Sequence, residues 1–365
     1  MARDFGFGIE EEHQILDPGS GELRSEIERL LPMVQARLGD RAQPELYQAQ
    51  IETATDVCES LADARAELIR LRSALLEAAG RLGVAIATAG THPFSDWRSQ
   101  RITRKARYQR LLADYQQVAR EQVLFGCHVH VGIPDPESAV QTMNRVRAWL
   151  PTILALTANS PFWLGADTGY ASYRAEVWLR WPSAGMPPTL SGRAEYDALV
   201  SGLVGSGSIR DATKVYWDVR PSTRYPTLEF RITDACTSVD EALMVAGLSR
   251  ALARACCEAA WRDDPPALPP VTLLRAAKWQ AARFGLEGQL VDPTTGEVVP
   301  VPAMARRLLA FLRPVLEDEG DWEEVGELLE RVLTDGNGAI RQRRALARSG
   351  GFPAVIEAIA TTASG

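Results

Sequence analysis

Side chains able to bind cations or anions recur at every second position in segments that otherwise read as β-strand. A strand sends alternate side chains to opposite faces. Around GFGIEEEHQILD (6–17) this puts Phe5, Phe7, Ile9 and Glu11 on one face and Gly6, Gly8, Glu10 and Glu12 on the other. In LYQAQIETATD (46–56), Gln48, Gln50 and Glu52 oppose Tyr47 and Ile51. In FGCHVHVGI (125–133), Gly126, His128, His130 and Gly132 oppose Cys127, Val129 and Val131. KVYWDVRPS (214–222) sets Tyr216, Asp218 and Arg220 against Val215, Trp217 and Val219, and TLEFRIT (227–233) sets Glu229 and Arg231 against Leu228, Phe230 and Ile232.

Each polar face alone has an ordinary explanation: a solvated glutamate, a hydrogen-bonded histidine pair, a cross-strand ion pair. Together they say more, because two of the chain's four histidines fall on one strand face. Carboxylates and imidazoles converging on one surface repel unless divalent cations sit among them. Carboxylate-dominated ligation favours Mg²⁺ or Mn²⁺ over zinc. Arginines on the same face imply a phosphate or carboxylate ligand. The chain has no P-loop or dinucleotide-binding glycine motif, and SGLVGSGSIRD (201–211) lacks the lysine a P-loop needs. A bound nucleotide would therefore be held by metals and arginines.

The elements that must carry these residues are strands at 5–16, 44–54, 84–90, 125–133, 214–220 and 226–233. Helical spacing marks 61–83, ending at Gly83, and further helices near 22–38, 104–124, 136–159, 238–262, 271–284, 302–316, 321–334 and 351–362. DPGSGEL (17–23) and DPTTGEV (292–298) read as hairpin tips. Short or single-helix connections between strand pairs favour an α+β fold with a mainly antiparallel six-stranded sheet over a doubly wound parallel one. DDPPALPPV, at 263–271, is the one linker-like stretch. It divides a single catalytic domain, 1–365, into a sheet-bearing core (1–262) and a mostly helical part (272–365).

The 365 residues are 46% hydrophobic with a net charge of −7 and dispersed basic residues, which argues against a nucleic-acid partner. The longest apolar run is interrupted by Pro151, Asn159 and Pro161, too broken for a membrane span. The N-terminus shows no secretion signal, and five cysteines without metal-finger spacing suit reduced thiols. A cytoplasmic location is expected.

GIEEEHQILDPGSGEL, ETATDVCES, AGTHPFSDW, RYQRLL, FGCHVHVGI, WDVRPS, TLEFRITD and GLEGQLVDPTTGE resemble, in order along the chain, the bacterial carboxylate–amine ligases of the glutamate–cysteine ligase type 2 group. A fainter likeness to glutamine synthetases lies in the E-x-E, H-x-H and LEFR strands. The resemblance implies a curved sheet forming an open funnel with helices on its outer face, and ATP with two or more Mg²⁺ ions. It implies that Glu10, His128 and Glu229 hold the metal nearest the ATP phosphates, and that Glu12 and Glu52 hold one nearer the acid substrate. Arg231 matches an arginine that reaches the transferred phosphate, and Arg220 serves phosphate or substrate carboxylate. The resemblance also implies that Tyr173 and Arg174 lie in a segment that in relatives faces the substrate pocket, and that His130 is either a ligand or a substrate contact. Glu11 stands where relatives are often apolar and inherits no catalytic role. Relatives also suggest a homodimer or higher assembly.

The implied chemistry joins an amino-acid carboxylate to an amine through an acyl phosphate made from ATP. No cysteine-recognition motif is visible, so the amine stays open. A two-metal hydrolase, a kinase of the same superfold and a non-catalytic MgATP sensor are the rivals.

Overall fold

The computed structural model describes residues 5–292 and 295–363. β1 (Phe7–Leu16) turns at 17–22 toward α1 (Ile27–Leu38), followed by β2 (Ala42–Pro44), β3 (Gln50–Ala54), α2 (Leu61–Leu82) and β4 (Ala85–Ala87). Next come α3 (Ala106–Tyr115), α4 (Gln117–Arg120), β5 (Cys127–Gly132), α5 (Pro136–Val146) and α6 (Leu150–Thr157). A small hairpin, β6 (Phe162–Trp163) with β7 (Ala166–Asp167), precedes α7 (Tyr173–Trp178) and α8 (Arg193–Gly205). β8 (Val219–Pro221) and β9 (Thr227–Phe230) lead to α9 (Val239–Trp261) and α10 (Val271–Phe284). The hairpin β10 (Gln289–Val291) and β11 (Val298–Pro300) is followed by α11 (Val301–Glu319), α12 (Trp322–Asp335), α13 (Gly338–Ser349) and α14 (Phe352–Ala358).

The main sheet is antiparallel throughout, in the order β2-β3-β1-β5-β9-β8, with β4 also paired to β1. It therefore has seven strands where the sequence suggested six. The expected strand at 44–54 is two, because the chain turns between Pro44 and Gln50. There the Gln50 side chain accepts from the Tyr47 amide (2.9 Å) and the Tyr47 carbonyl accepts from the Gln50 amide (3.1 Å). The strand expected from 214 begins only at Val219. Asp211 caps a short turn through Thr213, and Arg220 bonds back to the carbonyls of Thr213 (2.9 Å) and Val215 (2.6 Å).

Among the helices, the 104–124 segment breaks at Gln116 (φ +48°), and α7, α8 and α13 were not anticipated. The first predicted hairpin tip is present: the Asp17 amide donates to the Glu22 carbonyl (2.8 Å), and Gly21 supplies φ +74°. In the second, residues 293 and 294 lie outside the described residues.

The apolar strand face builds the largest core. Phe7, Ile9, Val129, Val131, Leu228 and Phe230 are buried with Leu68 of α2, Met143 of α5 and Leu243 of α9. Each such side chain contributes roughly 1.5–3 kcal/mol. Both long covering helices start with capping boxes, Ser60 with Asp63 and Ser238 with Glu241, and α2 stops at Gly83 in the left-handed region. All five cysteines are buried and unbridged. No helix among the described residues is long and apolar enough to cross a membrane.

Candidate cation and anion site

Strand register brings the predicted polar residues together on the sheet's other face. Glu12 of β1 lies directly opposite Glu52 of β3. Glu10 of β1 lies opposite His128 of β5. His130 of β5 faces Glu229 of β9, which faces Arg220 of β8. Arg231 stands just past the end of β9, its amide donating to the Asp218 carbonyl (2.8 Å).

Glu10, His128 and Glu229 each offer a ligand atom, and these atoms all lie within 4.8 Å of one another. His128 is 3% exposed, and neither ring nitrogen has a hydrogen-bond partner among the described residues. Its nearest carboxylate oxygen, on Glu10, is 3.6 Å away, too far for a hydrogen bond. Burial, with Arg231 nearby, pushes the imidazole down to about 4 and so keeps it in the neutral form that ligates metals. Burial pushes the Glu10 carboxyl up, yet His128 and His130 hold it well below its ordinary value. Glu229 is likewise kept ionised against burial, by Arg231, Arg220 and His130. Orphaned imidazole nitrogens between two ionised carboxylates fit a divalent cation.

His130 differs from His128. Its Nε2 lies 3.3 Å from Glu10 and 3.9 Å from Glu229, while Nδ1 bonds Thr227 Oγ1 (3.0 Å). Burial lowers its affinity for a proton, but the two carboxylates overcome this and raise it.

Glu12 and Glu52 form a second acidic group with Glu45, which the sequence did not single out. Burial and Glu45 raise Glu12 to about 7, against Arg174, the Gly126 amide and Arg231. Burial, Glu10, Glu45 and Glu12 raise Glu52 well above its ordinary value. Burial is the larger cause of both rises and crowding by like charges adds to it, and a hard cation beside these carboxylates would relieve that crowding. Glu45 lies in the turn after β2, outside any strand alternation, so no sequence pattern marks it.

Three guanidiniums border this face. Arg231 ion-pairs closely with Glu229, and Arg220 Nε lies 2.8 Å from Glu229 Oε2. Arg174 is buried on α7, 3.9 Å from Asp234, with its Nη2 so close to Gly126 that a Cβ there would lie 2.5 Å from it. The Arg174 and Arg231 guanidiniums both approach the Trp178 ring, at 5.7 and 5.5 Å. The Nε of each lacks a hydrogen-bond partner among the described residues. Under-satisfied buried guanidiniums are anion-seeking groups. Tyr173 instead packs beside Trp163 (5.9 Å) and Tyr170 (6.0 Å).

Asp234 also lay outside the sequence reading. Fully buried, it accepts from the Asn159 amide (2.8 Å), Ser160 Oγ (2.7 Å) and Ser172 Oγ (2.8 Å). Ser160 Oγ in turn accepts from the Arg174 amide (3.0 Å), so Asp234 anchors the segment that delivers Arg174. Asp218, expected on the polar strand face, is instead ion-paired with Lys278 of α10.

An antiparallel sheet with helices on its apolar face and carboxylates, imidazoles and guanidiniums gathered on the other defines an α+β protein. Residues 6–358 match the Glutamate-cysteine ligase family 2 (GCS2) profile, and the chain belongs to that family. A Frankia alni protein named provisionally as glutamate–cysteine ligase 2-3 is 45% identical over 351 residues, 96% of this chain but 40% of that protein. This chain thus spans about two fifths of that relative's length. A Mycolicibacterium smegmatis protein, named provisionally as glutamate–cysteine ligase 2-2, is 44% identical over 93% of this chain and 85% of its own. The fold resembles that of Francisella tularensis glutamate–cysteine ligase in complex with AMP, with TM-score 0.70, 12% identity and 98% and 88% coverage of the two chains. It also resembles a bifunctional glutathione synthetase from Pasteurella multocida, with TM-score 0.72, 16% identity and 98% and 51% coverage.

Proposed function

We propose that this chain is an ATP-dependent carboxylate–amine ligase that joins the γ-carboxylate of glutamate to an amine through an acyl phosphate. The observation that carries this reading is the adjacency of the Glu10–His128–Glu229 trio to two guanidiniums, Arg231 paired with Glu229 and Arg174 meeting His128 across Gly126. Two buried, under-satisfied guanidiniums beside the trio suit two anions, a phosphoryl group and a substrate carboxylate, which a ligase brings together. The names of the relatives and the AMP in the Francisella complex support the same direction.

In this reading Glu10, His128 and Glu229 would hold the Mg²⁺ nearest the phosphates, and Glu12 and Glu52, with the charge of Glu45 beside them, would hold one nearer the acid, Mn²⁺ being an alternative to Mg²⁺. When bound, the cations neutralise charge on the β- and γ-oxygens. The acid's carboxylate oxygen attacks the γ-phosphorus and ADP departs. Arg231 meets the charge on the transferred group, and Arg220 fixes Glu229 while facing the same anion. Arg174, Tyr173 and His130 contact the acid substrate. The amine then attacks the acyl carbon, loses a proton, and expels inorganic phosphate. The protein's main work is positioning and exclusion of water, since an exposed acyl phosphate hydrolyses.

The test is incubation with ATP, Mg²⁺ and glutamate across a panel of amines that includes cysteine. The expected product has the mass of glutamate plus amine minus water, formed with one ADP and one phosphate. A phosphorylated amine, or glutamate-dependent phosphate release with every amine but no such product, overturns the reading.

A further inference from the structure

Lys278 of α10 is 3% exposed, and its Nζ lies 2.6 and 2.8 Å from the two carboxylate oxygens of Asp218, itself 1% exposed. A buried ion pair adds little net stability over well-packed apolar replacements, so its presence calls for another explanation. The surroundings of Asp218 supply one. Its carbonyl accepts from the Arg231 amide (2.8 Å) and its amide donates to the Gly185 carbonyl (2.9 Å). Two residues on, Arg220 reaches Glu229.

The same helix grips a second wall of the site. Near its end, the Ala282 carbonyl accepts from the amides of both Ala171 (2.8 Å) and Ser172 (2.9 Å), immediately before Tyr173 and Arg174. Lys278 also faces α7, where burial pushes the Glu176 carboxyl up and the Lys278 ammonium opposes the rise. One helix therefore fixes the strand end bearing Arg220 and Arg231 and the segment bearing Arg174.

We propose that Lys278 and Asp218 are positioning residues whose buried ion pair sets the spacing between the Arg231 and Arg174 guanidiniums. Neither is a catalytic residue, since the pair is occupied with itself and acts through its neighbours. This inference rests on the reading of those two arginines as the anion-binding pair of the ligase.

The experiment compares wild type with the double variant Asp218→Leu/Lys278→Met, which removes both charges and strands neither. Its melting temperature is expected to stay within about 4 °C of wild type. The kcat for amide formation is expected to fall about 100-fold, as misplacement of groups by about 1 Å produces, with KM for MgATP little changed. Amide hydrogen exchange is expected to quicken at 171–174 and 229–232. Wild-type kcat together with wild-type exchange in the double variant overturns the proposal. Lys278→Arg, which keeps the pair, is expected to retain at least about tenfold more kcat than the double variant, and an equal loss overturns it too. Should wild type form no amide, the ligase reading fails, while exchange at the two segments still decides whether the pair positions them.

Discussion

Glu11 and Arg72 form a two-pronged ion pair inside the core, Oε1 to Nη2 at 2.6 Å and Oε2 to Nε at 3.0 Å, with both side chains essentially removed from solvent. Arg72 also donates to the carbonyls of Cys236 (2.9 Å), Thr237 (2.8 Å) and Thr362 (3.1 Å). The middle glutamate of the EEE triplet thus points away from the face that carries Glu10 and Glu12 and joins β1 to α2, to the 236–238 loop and to Thr362. Glu11→Gln strands a buried guanidinium, and the expected cost is about 3–5 kcal/mol in chemical denaturation. Turnover per folded molecule should stay near wild type. Unchanged stability in Glu11→Gln would show that the pair is dispensable.

Gly126 is required by close approach. A Cβ there would lie 2.5 Å from Arg174 Nη2 and 2.8 Å from His128 Nε2. Gly126→Ala should displace one or both groups and lower kcat/KM by about 100-fold, with little loss of melting temperature. Steady-state kinetics beside thermal unfolding separates this from a folding defect. Activity within a few-fold of wild type would mean that Arg174 need not stand where it does.

His92 is buried, with Nδ1 accepting from the amides of Ser95 (2.8 Å) and Phe94 (3.2 Å) and Nε2 donating to the Gly21 carbonyl (2.9 Å). Protonation at Nδ1 breaks both amide contacts, and burial pushes the imidazole down to about 4. Because the folded value lies below the unfolded one, this contribution is complete above about pH 6.5 and is lost as pH falls toward 4. It amounts to roughly 3 kcal/mol over that window. Unfolding measured from pH 7 to 4 should show a shallower loss in His92→Gln than in wild type. Parallel profiles would contradict the assignment.

The crowded carboxylates make cation binding a proton-releasing event. Glu12 titrates near 7 and Glu52 is raised well above its ordinary value, so at pH 6 to 7 a cation at this group must displace protons. Calorimetry with Mg²⁺ in buffers of different ionisation enthalpy should report proton release, and affinity should rise with pH through about 7. Glu52→Gln should reduce the release. Glu229→Gln and Glu52→Gln should each abolish Mg²⁺-dependent ATP turnover while leaving far-UV circular dichroism intact. Near-normal turnover in both would remove the metal assignment.

Pleating made much of the site legible in the sequence. Glu10, Glu12, Glu52, His128, His130 and Glu229 fall on one face because side chains alternate, and the register then aligned them across β3, β1, β5 and β9. What depended on turns and on long-range packing was not legible. Glu45 sits in the turn that splits 44–54 into two strands. Asp234 follows the Glu229-x-Arg231 alternation out of phase, and its partners Ser160 and Ser172 come from another part of the chain. Arg72 reads as one of several charged residues on a helix, and only its burial against Glu11 separates it from solvated Arg70. Lys278 lies 60 residues from Asp218, where no local pattern reaches.

The most direct test of the central claim follows oxygen. With glutamate labelled by ¹⁸O in its γ-carboxylate, acyl-phosphate chemistry carries one carboxylate oxygen into the phosphate released for each amide formed. Mass spectrometry of that phosphate is predicted to show one ¹⁸O per turnover. Amide formation with unlabelled phosphate, or labelled glutamate returned intact while ATP is consumed, would contradict the account.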